Sequence, residues 1–243
     1  MIAEEYKDIA PYDDSDFSRY MEELIASPGF ENAISYVLPG ADLAQLAHQL
    51  RKISNNVDFQ EQVMIPILEQ LERKTSDGIT SSGLENISAG VPGLFMSNHR
   101  DIVLDASFLA LAVHRHGFPT HQVALGDNLL IYDWIEHLVR LNKGIIVKRN
   151  LRLTKALEAA RQLSGYIHYC ISFKKESVWI AQREGRAKDS NDVTQESVLK
   201  MLALAGEADD VASRLIALNI IPVAISYEFD PNDYLKASEF LAK

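Results

Sequence analysis

Asn98-His99-Arg100-Asp101-Ile102-Val103-Leu104-Asp105 sets one imidazole and two carboxylates between the apolar run Gly93-Leu94-Phe95-Met96 and an apolar stretch with helical character. A strand end that delivers a histidine and a carboxylate to a helix start can expose the ring and orient it. That is the minimum equipment for deprotonating a hydroxyl nucleophile. Either Asp101 or Asp105 can serve as the partner of His99, and Asp101 can instead cap the following helix. His-Arg-Asp alone says little, because a histidine hydrogen-bonded at a strand end leaves the same trace. Three later segments change its weight: Lys143-Gly144-Ile145-Ile146-Val147-Lys148-Arg149, Gln182-Arg183-Glu184-Gly185-Arg186, and Ile221-Pro222-Val223-Ala224-Ile225-Ser226-Tyr227-Glu228.

These segments need a scaffold that brings strand ends together. Short apolar runs at Gly93 to Met96, Gln122 to Leu125, Gly144 to Val147, Val178 to Ala181 and Ile220 to Ser226 read as strands. Helical patterns separate them, around Val103 to His114, Leu129 to Leu141, Leu153 to Cys170, Glu196 to Ala205 and Asp210 to Leu218. The alternation predicts an α/β fold, a mixed sheet flanked by helices, and loops at one end of such a sheet are where sites collect. Residues before about 75 read as an N-terminal helical segment: Leu43, Leu46, Ala47, Leu50 and Ile53 share one face, and Val63, Ile67 and Leu71 share another. Pro28-Gly29 and Pro39-Gly40 interrupt it, and Pro66 is expected to kink its last helix. The polar stretch from Thr75 to Gly90 marks a boundary, giving a helical segment 1–75 and an α/β domain 76–243.

Composition limits the partners. The 243 residues, 47% of them hydrophobic, suffice for a sizeable core. With 34 acidic against 24 basic residues the net charge is −10, which argues against a nucleic-acid binder that must neutralise many phosphates. A single cysteine, Cys170, in a predicted helix interior reads as packing and points to a reducing cytoplasm. No apolar stretch is long enough to cross a bilayer, so a lipid substrate would be met from one face of a membrane. His114, His116 and His121 lack the companion ligands of a recognised metal site, and no metal is expected there.

In order and separation the four segments resemble the motif blocks of the glycerolipid acyltransferase superfamily, over roughly Gly93 to Glu228. In that family a His is followed by four residues and an Asp. Here five residues intervene between His99 and Asp105, and the Leu104-Asp105 pair leading into an apolar helix favours Asp105 over Asp101 as the orienting carboxylate. The resemblance implies an O-acyltransferase that moves a fatty acyl chain from a thioester to glycerol 3-phosphate or lysophosphatidic acid. It makes His99 the base, Arg149 and Arg186 phosphate ligands, and Glu184 and Gly185 the shapers of the acceptor pocket. Ile221 to Ile225 would then form a wall of the acyl site, and Lys143 stands where the family often has Gly. No cofactor is implied, since acyl-CoA or acyl carrier protein enters as co-substrate. A cytoplasmic protein peripheral to the inner face of the cell membrane is the expected setting, with Lys148, Arg152, Lys174 and Lys175 as candidate contacts to anionic lipid. A different lipid acceptor, or a lipid- or carrier-binding module without turnover, would suit the same fold.

Overall fold

The computed structural model describes residues 2–187, 189 and 191–242. In chain order the helices and strands are α1 (Asp14–Ile25), α2 (Pro28–Val37), α3 (Leu43–Leu50), α4 (Asn56–Phe59), α5 (Ile65–Thr75), β1 (Leu94–Ser97), α6 (Leu104–Arg115), β2 (Gln122–Gly126), α7 (Asp133–Leu141), β3 (Gly144–Val147), α8 (Leu153–Tyr169), β4 (Val178–Ala181), α9 (Glu196–Leu202), α10 (Val211–Ala217), β5 (Ile220–Val223) and α11 (Asp233–Leu241). The strands form a parallel sheet in the order β3-β2-β4-β1-β5, so the expected α/β architecture is present. The sheet is parallel and not mixed because a helix lies between each strand and the next. Such crossovers return the chain in the same direction.

The chain forms two compact units, Met1–Ser76 with Ala124–Ala159, and Asp77–Val123 with Ala160–Lys243. The first is held by a core in which Phe17, Met21 and Leu24 of α1 meet Phe59 and Leu141. Spacings of four and three residues put the three α1 side chains on one stripe. Polar ties close the same unit: the Asn56 side-chain amide donates to the carbonyl of Leu141 at 2.8 Å, and the Ile146 amide donates to Ile9 at 2.8 Å.

Pro66 acts one turn earlier than a simple kink. The helical backbone runs unbroken from Asn56 to Thr75, and Pro66, which has no amide hydrogen to give, directly follows a turn, Gln60–Met64, that widens to a π turn. The wider turn shifts the helical phase. Ile65, Leu68 and Glu72 are therefore the buried side chains of α5, while Val63, Ile67 and Leu71, the face expected from spacing, lie only half-buried.

In the second unit β1 is flanked by β4 and β5 in parallel register, Leu94 opposite Val178 on one side and Ile220 on the other. Phe95, Trp179, Ala106, Leu109 and Val113 form its core beneath α6. Strand β5 stops at Val223, short of the expected Ser226, because Asn98 takes over its pairing. The Asn98 side chain accepts from the Ile225 amide and donates to the Ile225 carbonyl, both at 2.8 Å. Pro222 is tolerated because β5 is an edge strand. Among the described residues no helix is long and apolar enough to cross a membrane.

Candidate active site

His99 follows the C-terminal end of β1 by two residues and is held on both sides. Its Nδ1 lies 2.9 Å from Asp105 Oδ2, and its ring meets the Trp179 ring edge-on with centroids 5.9 Å apart. Trp179 is itself pinned, its indole N–H donating to Ser97 Oγ at 3.0 Å. An ionised carboxylate only accepts, so Nδ1 carries the proton, and in the neutral ring the lone pair is then on Nε2. With 15% of the side chain exposed, the ring is fixed by Asp105 and Trp179 yet partly open to solvent.

Asp105 is completely buried. Its Oδ2 also accepts the amides of Arg100 (2.7 Å) and Asp101 (3.0 Å), and its Oδ1 accepts the Tyr227 hydroxyl at 2.7 Å. Burial pushes such a carboxyl upward, but the donors from His99, Tyr227 and the two amides outweigh it and hold Asp105 below its ordinary value of 3.8. Its folded value being depressed, the stability it contributes is present above the unfolded value and is lost as pH falls through the folded one. Asp105 is therefore charged throughout any working range near neutrality.

Asp101 performs a different task. Its Oδ1 accepts the amides of Val103 and Leu104, both at 2.9 Å, at the start of α6. Its Oδ2 accepts from Asn232 at 3.1 Å. The five-residue interval between His99 and Asp105 is accommodated in this turn, where the chain folds so that both carboxylates face inward.

The Glu184-Gly185-Arg186 block follows β4 and lies against the same segment. The Gln182 amide donates to Ser97 and the Ala187 amide to His99, both at 2.8 Å, so residues 183–186 arch outward between two rungs beside the histidine. Gly185 has φ +71, a left-handed conformation that glycine adopts without strain, and a Cβ there would meet nothing within 4 Å. Glycine is needed for the turn itself. Glu184 is exposed at the arch, and its amide donates to Gln195 at 2.8 Å.

Arg149 belongs to the other unit, two residues beyond the end of β3. Its amide donates to both Asp127 carboxylate oxygens at 3.2 Å, and its side chain passes over Gly126, where any Cβ would collide with Nε. Lys143 has φ 59 just after α7. A glycine there would pay no Cβ penalty.

Arg100 and Lys236 have no role assigned from the sequence. Arg100 donates to Asp189 O (2.8 Å), lies 2.8 Å from Asp192 and 3.5 Å from Asp230, and is thereby fixed beside a cavity of about 590 Å³. Asn98, Gln182, Val223, Ile225 and Tyr227 also line that cavity. The buried Lys236 of α11 donates to the Arg100 carbonyl at 2.7 Å and pairs with Asp230. Cys170 is buried, and burial pushes its thiol up to about 12, too high for a nucleophile near neutrality.

The family model for Acyltransferase, the glycerolipid acyltransferase family, matches residues 78–226. The chain belongs to this family. Its membership makes acyl transfer the general activity of the protein. The match spans all four motif blocks except Tyr227 and Glu228 at the end of the last. A search of curated protein sequences gave no match.

Proposed function

We propose that this acyltransferase moves a fatty acyl group from a thioester donor to glycerol 3-phosphate or lysophosphatidic acid in phospholipid synthesis. The observation that carries the reading is the His99–Asp105 pair, with Nδ1 tied to a buried charge and Nε2 left as the base. Nε2 takes the proton of the acceptor hydroxyl as its oxygen attacks the thioester carbonyl. The tetrahedral intermediate collapses with cleavage of the C–S bond, and the departing sulfur takes the proton back from the imidazolium. The new ester and a free thiol are the products, with Asp105 stabilising the imidazolium between the two transfers. The thiol comes from coenzyme A or an acyl carrier protein, neither of which requires a further cofactor.

Arg149 and Arg186 are proposed to hold the acceptor phosphate, for which the planar guanidinium offers paired donors. Glu184 and Gly185 are assigned to the acceptor pocket. Replacing either arginine with Ala removes a charge-assisted contact of about 1.5–3 kcal/mol. The acceptor KM is expected to rise about 10- to 100-fold, with the donor KM nearly unchanged. Steady-state kinetics against a phosphate-free acceptor checks the assignment: an equal loss there would move these arginines to the donor or to the fold.

The proposed setting is cytoplasmic, at the inner face of the cell membrane. Of the basic residues considered for lipid contact, Lys148 pairs with Asp8 and Lys174 with Glu176. Arg152 and Lys155 are exposed at the start of α8 beside Leu153, 91% exposed, and Leu157. A basic and apolar helix start suits an anionic lipid surface, where each cation contributes about 1 kcal/mol. Vesicle flotation is expected to require anionic lipid, to weaken as salt shortens the screening length, and to fail for an Arg152→Gln, Lys155→Gln, Leu153→Ser variant. Binding that ignores lipid charge and these substitutions would place the contact elsewhere.

A further inference from the structure

We propose that Tyr227 is a positioning residue for the base: its hydroxyl fixes the Asp105 carboxylate and draws charge from it, and so sets how readily His99 exchanges a proton. The inference rests on the reading of His99 as the base. Tyr227 lies one residue beyond the stretch that matches the family. Its partner is 122 positions away in sequence, and the bond is short, 2.7 Å.

The geometry makes the hydroxyl hard to replace. Asp105 Oδ2 already takes the His99 ring and two amides, and the whole side chain is buried, so Oδ1 depends on a protein donor. The neighbouring charged groups are committed elsewhere. Asp101 accepts from α6 and Asn232, Arg100 faces Asp189, Asp192 and Asp230, and Lys236 holds Asp230 and the Arg100 carbonyl. Burial and the charge of Asp105 both push the Tyr227 phenol far above its ordinary range, so it remains a donor at every working pH.

A carboxylate that shares its charge with a phenol has less to give an imidazolium. Removing the hydroxyl should therefore strengthen the hold of Asp105 on the protonated ring, and the base should become available only at higher pH. Tyr227→Phe keeps the ring and deletes only the donor. Its kcat is expected to fall about tenfold on the acid side and to recover toward alkaline pH, with KM little changed. The acid limb should move up by about half a unit to one unit, one unit being a tenfold change in proton binding. In an Asp105→Asn background the same change should leave the limb where it is, because the charge it modulates is gone.

The ring-proton NMR signal of His99, assigned by its loss in His99→Gln, should shift its titration midpoint in the same direction. This readout does not require turnover, so it separates the present inference from the acyl-transfer reading. If the wild-type protein transfers no acyl group, that reading fails while the midpoint still reports the coupling. A midpoint and an acid limb unmoved in Tyr227→Phe would overturn the proposal, as would a deficit equal at all pH accompanied only by a lower melting temperature.

Discussion

His99→Ala is expected to lower turnover by about 10²- to 10⁴-fold, the usual contribution of a positioned acid–base group. The protein should still fold, because the ring is partly exposed and its loss leaves the Asp105 carboxylate with three remaining donors. Acceptor and donor KM values should change little, since the imidazole acts on the proton and not on the bound phosphate or thiol. Rates measured from labelled acyl thioester, with circular dichroism to verify the fold, decide the matter. A folded variant with near-wild-type turnover would remove His99 from the mechanism.

Asp105→Asn is expected to have the next largest effect, a rate loss of about 10²- to 10⁴-fold with the acceptor KM retained. The asparagine carbonyl can still accept the Arg100 and Asp101 amides, and its NH₂ can turn to the Tyr227 oxygen, so the shape survives while the charge that stabilises the imidazolium is lost. Asp101→Asn should behave differently. It touches the first amides of α6, so it should act on stability, by about 0.5–2 kcal/mol, with kcat largely kept. Thermal unfolding and kinetics of the two variants form a matched pair. The opposite pattern would transfer the orienting role to Asp101.

The sequence showed the scaffold clearly because its strands are apolar runs bounded by polar turns. All five start within a residue of the expected limits, and all but β5, which the Asn98 side chain truncates, also end there. Helical phase was less visible: a local π turn ahead of Pro66 rotates the buried face of α5, and spacing counted at 3.6 residues per turn cannot register the added residue. The site divides in the same way. His99, Asp105 and the Glu184-Gly185-Arg186 arch were visible as residue types at strand ends. Tyr227 and Arg100, which stand inside the motif segments, and Lys236 on α11 had no role legible there, because a phenol or a cation acquires one only through partners distant in the sequence. The direction of Asp101 toward the amides of α6 likewise depends on how the five intervening residues turn, which residue types alone leave open.

The central claim is that a glycerol-phosphate hydroxyl, activated by His99, takes an acyl group from a thioester. Its most direct test is a radiolabelled transfer assay in which acyl-CoA and acyl carrier protein donors are each crossed against glycerol 3-phosphate, lysophosphatidic acid and a phosphate-free acceptor, with free thiol measured in parallel. The account predicts labelled ester and stoichiometric thiol with at least one phosphate-bearing acceptor, and neither with His99→Ala. Transfer that prefers the phosphate-free acceptor, or thiol release without ester by the wild-type protein, would contradict it.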